Sequence, residues 1–105
     1  MFFENLSDVK QQNPLILDSN FKAMDIIVLE DVERGEPIYI DANKEGTKTA
    51  SGNELFGIVL DDMQADGVTA VLVNGSVNMD EIKHTDAASL VLGFRKLGIY
   101  LKKGV

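Results

Sequence analysis

Short apolar runs separated by polar turns predict a chain built mainly of β-strands. Five segments have the length and composition of strands: residues 14–17, 24–31, 37–40, 56–60 and 68–73. The last two are almost uniformly apolar, which is typical of strands buried on both faces. Residues 41–53 are polar and include two glycines, so they predict a loop with room for a short hairpin.

The period of the apolar residues becomes helical after Asn78. The apolar face of the predicted helix consists of Leu90, Val91, Phe94 and Leu97. Thr85 or Asp86 is expected to cap the start of this helix. Gly98 lies where a left-handed residue commonly ends a helix, and residues 99–101 then predict a last short strand.

The predicted fold class is α+β, mainly β, as one small domain with a single short C-terminal helix. A length of 105 residues suits one domain with one modest core. Residues 1–13 are polar except for a few apolar side chains, among them Phe2, Phe3 and Leu6. They are predicted to form a flexible N-terminal arm ahead of a domain at 14–105.

Asn74 and Gly75 form a dipeptide that is common in hairpin turns. The run that follows, residues 76–78, is too short to pair back along the preceding strand. Gly75 is therefore expected to form a bulge or a kink that redirects the strand.

The charge of the chain is acidic and unevenly distributed. The net charge is −7 and the sequence pI is about 4.5, whereas proteins that bind nucleic acid present clustered cations to the phosphates. Nucleic acid is therefore not an expected partner. Residues 83–105 reverse the balance, with five basic residues and one acid. This asymmetry can orient a protein on a charged partner, although a solvated helix face with a basic tail explains it equally well.

The chain has no cysteine, which excludes disulfides and thiolate metal sites. Its N-terminal residues lack the basic start and apolar core of a signal peptide. The apolar runs are far shorter than the roughly 20 residues that span a membrane. We expect a protein made in the cytoplasm, with no membrane partner.

No group of residues has the pattern of a catalytic, cofactor or metal site. The acidic segment 61–67 imitates the start of a calcium-binding loop, but the position that must supply the last carboxylate is Val73. Asp61 and Asp62 point to opposite sides of an extended chain, so a polar turn is the preferred interpretation. His84 is the only histidine, and the glycines form no phosphate-binding pattern. The protein is not expected to be an enzyme.

Three segments in order carry a resemblance to a known family: VERGEPI, ASGNELFGIVLDDMQADGVTAVLVNGSVN and LVLGFRKLGIYL. In order and spacing they resemble the phage head decoration proteins, the capsid-stabilising proteins of the lambda type. The matching residues are Val32, Gly35, Ile38, Gly57, Ile58, Leu60, Asp62, Val71, Leu72, Val73, Gly75, Val77, Asn78, Leu97, Gly98, Ile99 and Tyr100. The resemblance covers about 24–101. Residues 1–23 do not match, and the loop at 41–53 follows only the general character of the family.

The resemblance implies a small, mostly β fold that assembles as a homotrimer on the outside of the expanded capsid. The implied partner is the major capsid protein, and the implied location is the virion exterior, with the host cytoplasm during assembly. The residues expected to contact the capsid are Phe2, Phe3, Leu6, Leu15 and Ile16. The glycines expected at structural turns or bulges are Gly35, Gly57, Gly75 and Gly98.

A second class of function stays open. A small intracellular β-rich module could bind a peptide or a small ligand without catalysis. A stable trimer would favour decoration, whereas a monomer with an open concave pocket would favour ligand binding.

Overall fold

The structure, a computed structural model, describes residues 15–17, 20–83 and 87–103. In this part of the chain the elements follow in the order β1 Lys22–Ile27, β2 Pro37–Ile40, β3 Gly46–Thr47, β4 Glu54–Val59, β5 Val68–Asn78, α1 Val91–Lys96 and β6 Ile99–Lys102. Two 3₁₀ turns, Met79–Glu81 and Ala87–Leu90, lie between β5 and α1. The fold class is α+β and mainly β, as the sequence predicts.

The strands form one sheet whose two edges meet at one point. The strand order is β1-β5-β4-β2-β3 with antiparallel neighbours, and β6 joins β5 in parallel. β3 pairs back on β2 as the short hairpin expected within 41–53. The sheet curls until Val28, just after β1, forms a parallel bridge with Gly46 of β3. The Leu29 N–H donates to the Gly46 carbonyl at 2.8 Å, so the described backbone closes into a small barrel at this end.

β5 belongs to two parts of the sheet. Its first half pairs with β1 and β4, and its second half pairs with β6 on one side and with Ile16 on the other. The strand predicted at 68–73 is longer in the structure and extends past Gly75 to Asn78. Gly75 has φ +137°, which lets the strand bend, and its N–H still donates to the Gly98 carbonyl at 3.0 Å. The sheet therefore continues through the bend.

The two faces of the sheet carry separate cores. The core under α1 consists of Leu15, Ile58, Leu72, Val77, Ile82, Phe94 and Ile99. The core inside the barrel consists of Ile26, Val28, Val32, Ile38, Val59 and Val71. Side chains alternate between the faces of a strand, so Val71 enters the barrel core and Leu72 enters the core under α1. β5 thus holds both cores together.

β1 is shorter than the strand predicted at 24–31. It ends at Ile27, and beyond it the carboxylates of Glu30 and Asp31 accept hydrogen bonds from other loops. Glu30 accepts a backbone N–H from the loop after β3 at 3.1 Å, and Asp31 accepts the Ala65 N–H at 2.8 Å. The chain leaves the ladder where these bonds form.

α1 is also shorter than predicted, and its apolar face is narrower. It begins after the second 3₁₀ turn, and Thr85 and Asp86, the predicted caps, lie outside the described residues. Phe94 is fully buried. Leu97 follows the last helical residue and is 39% exposed, so its prediction as a core residue is wrong.

Two segments of the chain repeat the same arrangement around an approximate two-fold axis. They are residues 26–38 and 57–69, and each contains Ile-Val-Leu followed by an acid and an Asp, at 27–31 and 58–62. In each segment a strand runs into a loop, and the next strand pairs with the first strand of the other segment. The equivalent ladder pairs are Ile26–Thr69 with Gly57–Ile38, and Ile27–Val68 with Ile58–Pro37.

The loops of this repeat exchange backbone hydrogen bonds in matching pairs. Val32 and Met63 each donate an N–H to the carbonyl of the other, at 2.8 and 2.9 Å. The other matching bonds run from the Gly35 N–H to the Val59 carbonyl, and from the Asp66 N–H to the Val28 carbonyl. Gly35 and Asp66 occupy equivalent positions, and both have positive φ, +94° and +71°. The two loops therefore share one backbone conformation.

Two carboxylates extend this exchange. The Arg34 N–H donates to Asp62 Oδ1 at 2.7 Å, and the equivalent Ala65 N–H donates to Asp31 Oδ1 at 2.8 Å. The acidic segment 61–67 is therefore a turn between strands, as predicted, but Asp62 also joins this turn to the other loop.

The two-fold repeat breaks beside β1. Val59 pairs with Val71, so that β4 lies directly against β5. The equivalent residues, Val28 and Ile40, do not pair, because β3 takes this place and Val28 bridges Gly46 instead. A gap therefore opens between β1 and the end of β2.

Replacing Asp62 by Ala is expected to lower the free energy of unfolding by about 1 kcal/mol, because the Arg34 N–H loses its charged acceptor in a partly solvated loop. Asp31→Ala should have a similar effect through Ala65. Urea unfolding measures both. Asp61→Ala is the matched control, since its side chain bonds to no described residue and the change should stay within about 0.5 kcal/mol. Equal losses of unfolding free energy in all three variants would contradict a stabilising role of these two hydrogen bonds.

Candidate protein-contact surface

The residues expected to contact a capsid lie in three different settings. Phe2, Phe3 and Leu6 lie outside the described residues. Leu15 is 1% exposed and belongs to the core under α1, so its side chain is not available to a partner. Ile16 is half-buried and pairs with the second half of β5.

In the part of the chain that the structure describes, large apolar side chains are exposed in two places. The first group lies along and beside β1 and is called here the β1 surface: Phe21, Met24, Ile27, Leu29 and Val68. The second group lies on and after α1: Leu92, Leu97 and Tyr100. Met24 and Val68 are each more than half exposed, at 52% and 53%. Ile27 and Val68 are opposite each other in the β1–β5 ladder, and exposed apolar side chains that lie together are typical of surfaces that contact another molecule.

A cleft opens beside the β1 surface, where the two-fold repeat is broken. It has a volume of about 590 Å³ and is called here the β1 cleft. Its apolar lining consists of Met24, Ile26, Ile27, Ile40 and Phe56. Its polar lining consists of Asp25, Asn43, Lys44 and Glu45. The volume and the mainly apolar lining are those of sites that bind a small molecule or a few side chains.

Among the described strands, β1 has a partner on one side only along this cleft. Its residues pair with β5 on one side, and on the other side the described backbone joins this edge only beyond its end, at the bridge between Val28 and Gly46. An unpaired strand edge presents N–H and C=O groups at the spacing that another strand requires. The β1 cleft therefore offers an extended segment both hydrogen-bonding groups and an apolar lining.

Acids and cations are separated on the described surface. Residues 87–103 contain no acid, and their cations are all exposed: Arg95, Lys96, Lys102 and Lys103. The loops of the two-fold repeat are mainly acidic, with exposed Asp31, Glu33, Asp61, Asp62 and Asp66. A pair between Lys83 and Glu33 at 3.3 Å is more than half exposed on both sides, so it adds little stability.

Among the described residues, no three His, Cys, Asp or Glu side chains lie close enough together to hold a metal ion. His84 is outside the described residues. The described helices are too short to cross a membrane.

The glycines of the resemblance lie where the backbone is crowded. Gly35 and Gly98 have positive φ, and a Cβ on Gly35 would lie 2.5 Å from the Glu81 carbonyl oxygen. A Cβ on Gly57 would collide with the Leu72 carbonyl oxygen, because β4 and β5 approach closely there. Each of these positions is closed to a larger residue unless the backbone moves.

Gly75 and Asn78, both in β5, hold the segment that leads into β1 in place against β5. A Cβ on Gly75 would lie 2.8 Å from Phe21 Cβ. Asn78 is fully buried; its N–H donates to the Leu15 carbonyl at 2.8 Å, and its side-chain oxygen accepts the Asp80 N–H at 3.0 Å. Among the described residues, the Asn78 Nδ2 group has no hydrogen-bond partner. The Val-Asn end of the resemblance thus coincides with a structural junction.

The β1 cleft and the repeat behind it are features that the sequence reasoning misses. The available signal is the repeated Ile-Val-Leu-acid-Asp at 27–31 and 58–62. Ile40 and Phe56 carry no comparable signal, because an apolar residue in a strand predicts the core whether or not its side of the sheet is covered.

Known protein-family models and curated proteins give no match to this sequence. The class of protein is therefore defined by the fold and its surface: a small α+β domain, mainly β, with an apolar open edge. The capsid resemblance rests on the order and spacing of its residues.

Gly75→Val is expected to destabilise the protein by about 3 kcal/mol, since a β-branched residue at positive φ is strained and its Cβ would press on Phe21. In a domain of this size the melting temperature should fall by more than about 10 °C. Thermal unfolding followed by circular dichroism measures it.

Gly52→Val is the matched control, because Gly52 also has positive φ, +78°, but has no atom within 4 Å of a built Cβ. The loss there should be clearly smaller. An unchanged melting curve for Gly75→Val would refute the role of Gly75. Equal falls in melting temperature for Gly75→Val and Gly52→Val would show that the contact with Phe21 does not contribute.

Proposed function

We propose that this protein decorates the head of a phage, binding the outside of the expanded capsid as a homotrimer and stabilising it against the pressure of the internal DNA. The observation that carries the proposal is the exposed apolar β1 surface on an open sheet edge, which suits a protein partner. The residue order across 24–101 is the reason for choosing the major capsid protein as that partner. The virion exterior is the proposed location.

Such a role requires binding energy and geometry, and it requires no catalysis. Neighbouring capsid subunits are held together when one rigid body contacts both. A sheet with a core on each face and interlocked loops provides that rigidity. The contact energy is supplied by the few exposed apolar side chains, since a small number of buried anchors dominates most interfaces.

A closed three-fold oligomer needs two different surfaces on each copy that fit each other. The cationic residues of 87–103 and the acidic loops of the repeat have opposite charge, which supports a contact of this kind between copies. A trimer then presents three identical capsid contacts. Once one has formed, the others bind at high effective concentration, so weak contacts add up.

The arm at 1–13 is proposed as the main capsid anchor. An extended segment can add a strand to an exposed capsid edge, with backbone hydrogen bonds for affinity and Phe2, Phe3 and Leu6 as side-chain anchors. Ordering such a segment costs roughly 2–5 kcal/mol of the gross interaction. Ile16 lies beside this arm, whereas Leu15 is excluded from the contact by its burial.

A second candidate function is binding of a peptide or a small ligand without catalysis. The observation that favours it is the β1 cleft, which is open and apolar. Light scattering separates the two candidates. A stable trimer supports decoration, and a monomer supports ligand binding.

Deleting residues 1–13 is expected to leave the domain folded and to weaken attachment to capsids, because the apolar anchors of the arm are lost. Co-sedimentation with expanded, undecorated capsids measures attachment, and circular dichroism checks the fold. Normal sedimentation of the truncated protein would refute the role of the arm.

Two full-length variants provide the matched comparison. Replacing Phe2, Phe3 and Leu6 together by Ser should weaken sedimentation as the deletion does. Replacing Gln11 and Gln12 by Ser changes the same arm without touching an apolar anchor, so it should leave sedimentation unchanged.

A further inference from the structure

We infer that the β1 cleft binds an extended segment of another protein as an added strand, antiparallel to β1, and that this segment carries a cation between two apolar residues. The inference rests on the part of the proposed function that gives the edge of β1 a protein partner, and it names the chemistry of the segment that this partner presents. Three observations carry it: the place of the cleft in the repeat, the two sides of β1 and the charges at the rim.

The cleft lies where the repeat predicts a second neighbour for β1. In one half of the repeat Val59 of β4 pairs with Val71 of β5. The equivalent pair in the other half is Val28 with Ile40, and it does not form, because Val28 bridges Gly46 instead. An extended segment beside β1 supplies the neighbour that is missing. It runs antiparallel to β1, as β2 would in an unbroken repeat.

The cleft has the length of a short strand. Four residues of β1, Met24–Ile27, line it. Beyond them the bridge from Val28 to Gly46 closes it, and a Cβ on Gly46 would lie 2.8 Å from Ile26 Cδ1. Four residues of extended chain span about 13 Å. β3 runs parallel to β1 at the bridge, so the bound segment is antiparallel to both strands.

One side of β1 faces the barrel core. Ile26 belongs to that core, and Met24 lies on the same side because side chains alternate along a strand. Ile40 and Phe56, which also line the cleft, pack against the same core. Residues directly opposite each other in an antiparallel ladder have their side chains on one face. The residues of the segment opposite Met24 and Ile26 are therefore apolar.

The other side of β1 presents a charge. Asp25 is exposed, and Lys44 and Glu45 line the cleft from the loop before β3. None of these three side chains bonds to another described residue, so two acids face the cleft against one cation. The net charge of the whole chain is −7. A cation opposite Asp25 therefore complements the site, whereas a carboxylate there meets like charge.

A peptide suits the cleft better than a small apolar molecule does. Both fill the apolar lining, but only a peptide also bonds to the N–H and C=O groups that an unpaired strand presents. The pattern that the cleft selects is apolar, cation, apolar along three successive residues.

The test titrates the full-length protein, labelled with ¹³C at the methionine methyls, with the peptide acetyl-Ser-Val-Ile-Lys-Val-Ser-amide. In the inferred register its Lys lies opposite Asp25, between an Ile opposite Ile26 and a Val opposite Met24. Met24 lines the cleft, whereas Met79 follows the far end of β5. We expect the peptide to shift the Met24 signal until it saturates and to leave the Met79 signal unchanged.

Altered peptides test the charge and the backbone bonds separately. Replacing the Lys of the peptide by Glu should weaken binding about fivefold, the size of one exposed ion pair. Alternate amides of a strand face the same neighbour. Of two peptides N-methylated at alternate residues, one at the first Val and Lys and the other at Ile and the second Val, at least one should therefore lose binding.

A charge swap in the protein locates the contact. Asp25→Lys should weaken binding of the Lys peptide and strengthen binding of the Glu peptide, each about fivefold. Asp61→Lys is the matched control, because Asp61 is exposed and lies outside the cleft. It makes the same change in net charge and should alter either affinity by less than about twofold. An unchanged Met79 signal in each variant reports an intact fold.

Three results would overturn the inference. The first is a Met24 signal that does not respond to the Lys peptide, and the second is full binding of both N-methylated peptides. The third is a Met24 signal that changes with protein concentration before any peptide is added, which would assign the cleft to a second copy of the chain. Co-sedimentation with expanded capsids is measured without the peptide, so failure of this inference and failure of the proposed decoration are distinguishable.

Discussion

The fold depends on hydrogen bonds that two loops exchange. Val32 and Met63 exchange backbone bonds across an approximate two-fold axis, and Asp31 and Asp62 each accept an N–H from the opposite loop. Each loop connects two strands, so these bonds fix the register of strands that are distant in sequence. The barrel core is formed between the strands that the loops join. In a chain without disulfides, this exchange and the β1–β5 and β2–β4 ladders tie the two halves together.

The sequence predicts the strands better than it predicts their partners. Apolar runs locate β2 and β4 closely and the start of β5 correctly, because burial on one or both faces leaves a local pattern. β5 extends beyond the predicted 68–73 to Asn78, because the Gly75 N–H bonds to the distant Gly98 carbonyl, a contact that the local pattern does not contain. Leu97 is misassigned for a similar reason, since the helix stops one residue before it.

The contact surface is harder still to predict, because it results from an interruption of symmetry. Residues 27–31 and 58–62 are nearly the same in sequence. In the second copy Val59 pairs with β5, whereas in the first copy Val28 bridges Gly46 of β3. The insertion of β3 leaves Ile40 and Phe56 facing a cleft instead of a completed sheet. A repeated structural unit thus provides rigidity in one half and a binding edge in the other. The proposed capsid decoration and the alternative, peptide binding, would both use that edge.

The partnership of β1 with β5 also bears on how the protein is made. Lys22 of β1 pairs with Asn74 of β5, which lies more than fifty residues later in the chain. Until β5 leaves the ribosome, β1 has no antiparallel partner, and the barrel core lacks one of the strands that enclose it. Folding that depends on such distant pairs is slow and exposes unpaired strands for longer. During synthesis the apolar residues of β1 therefore stay without their ladder partners until β5 has emerged.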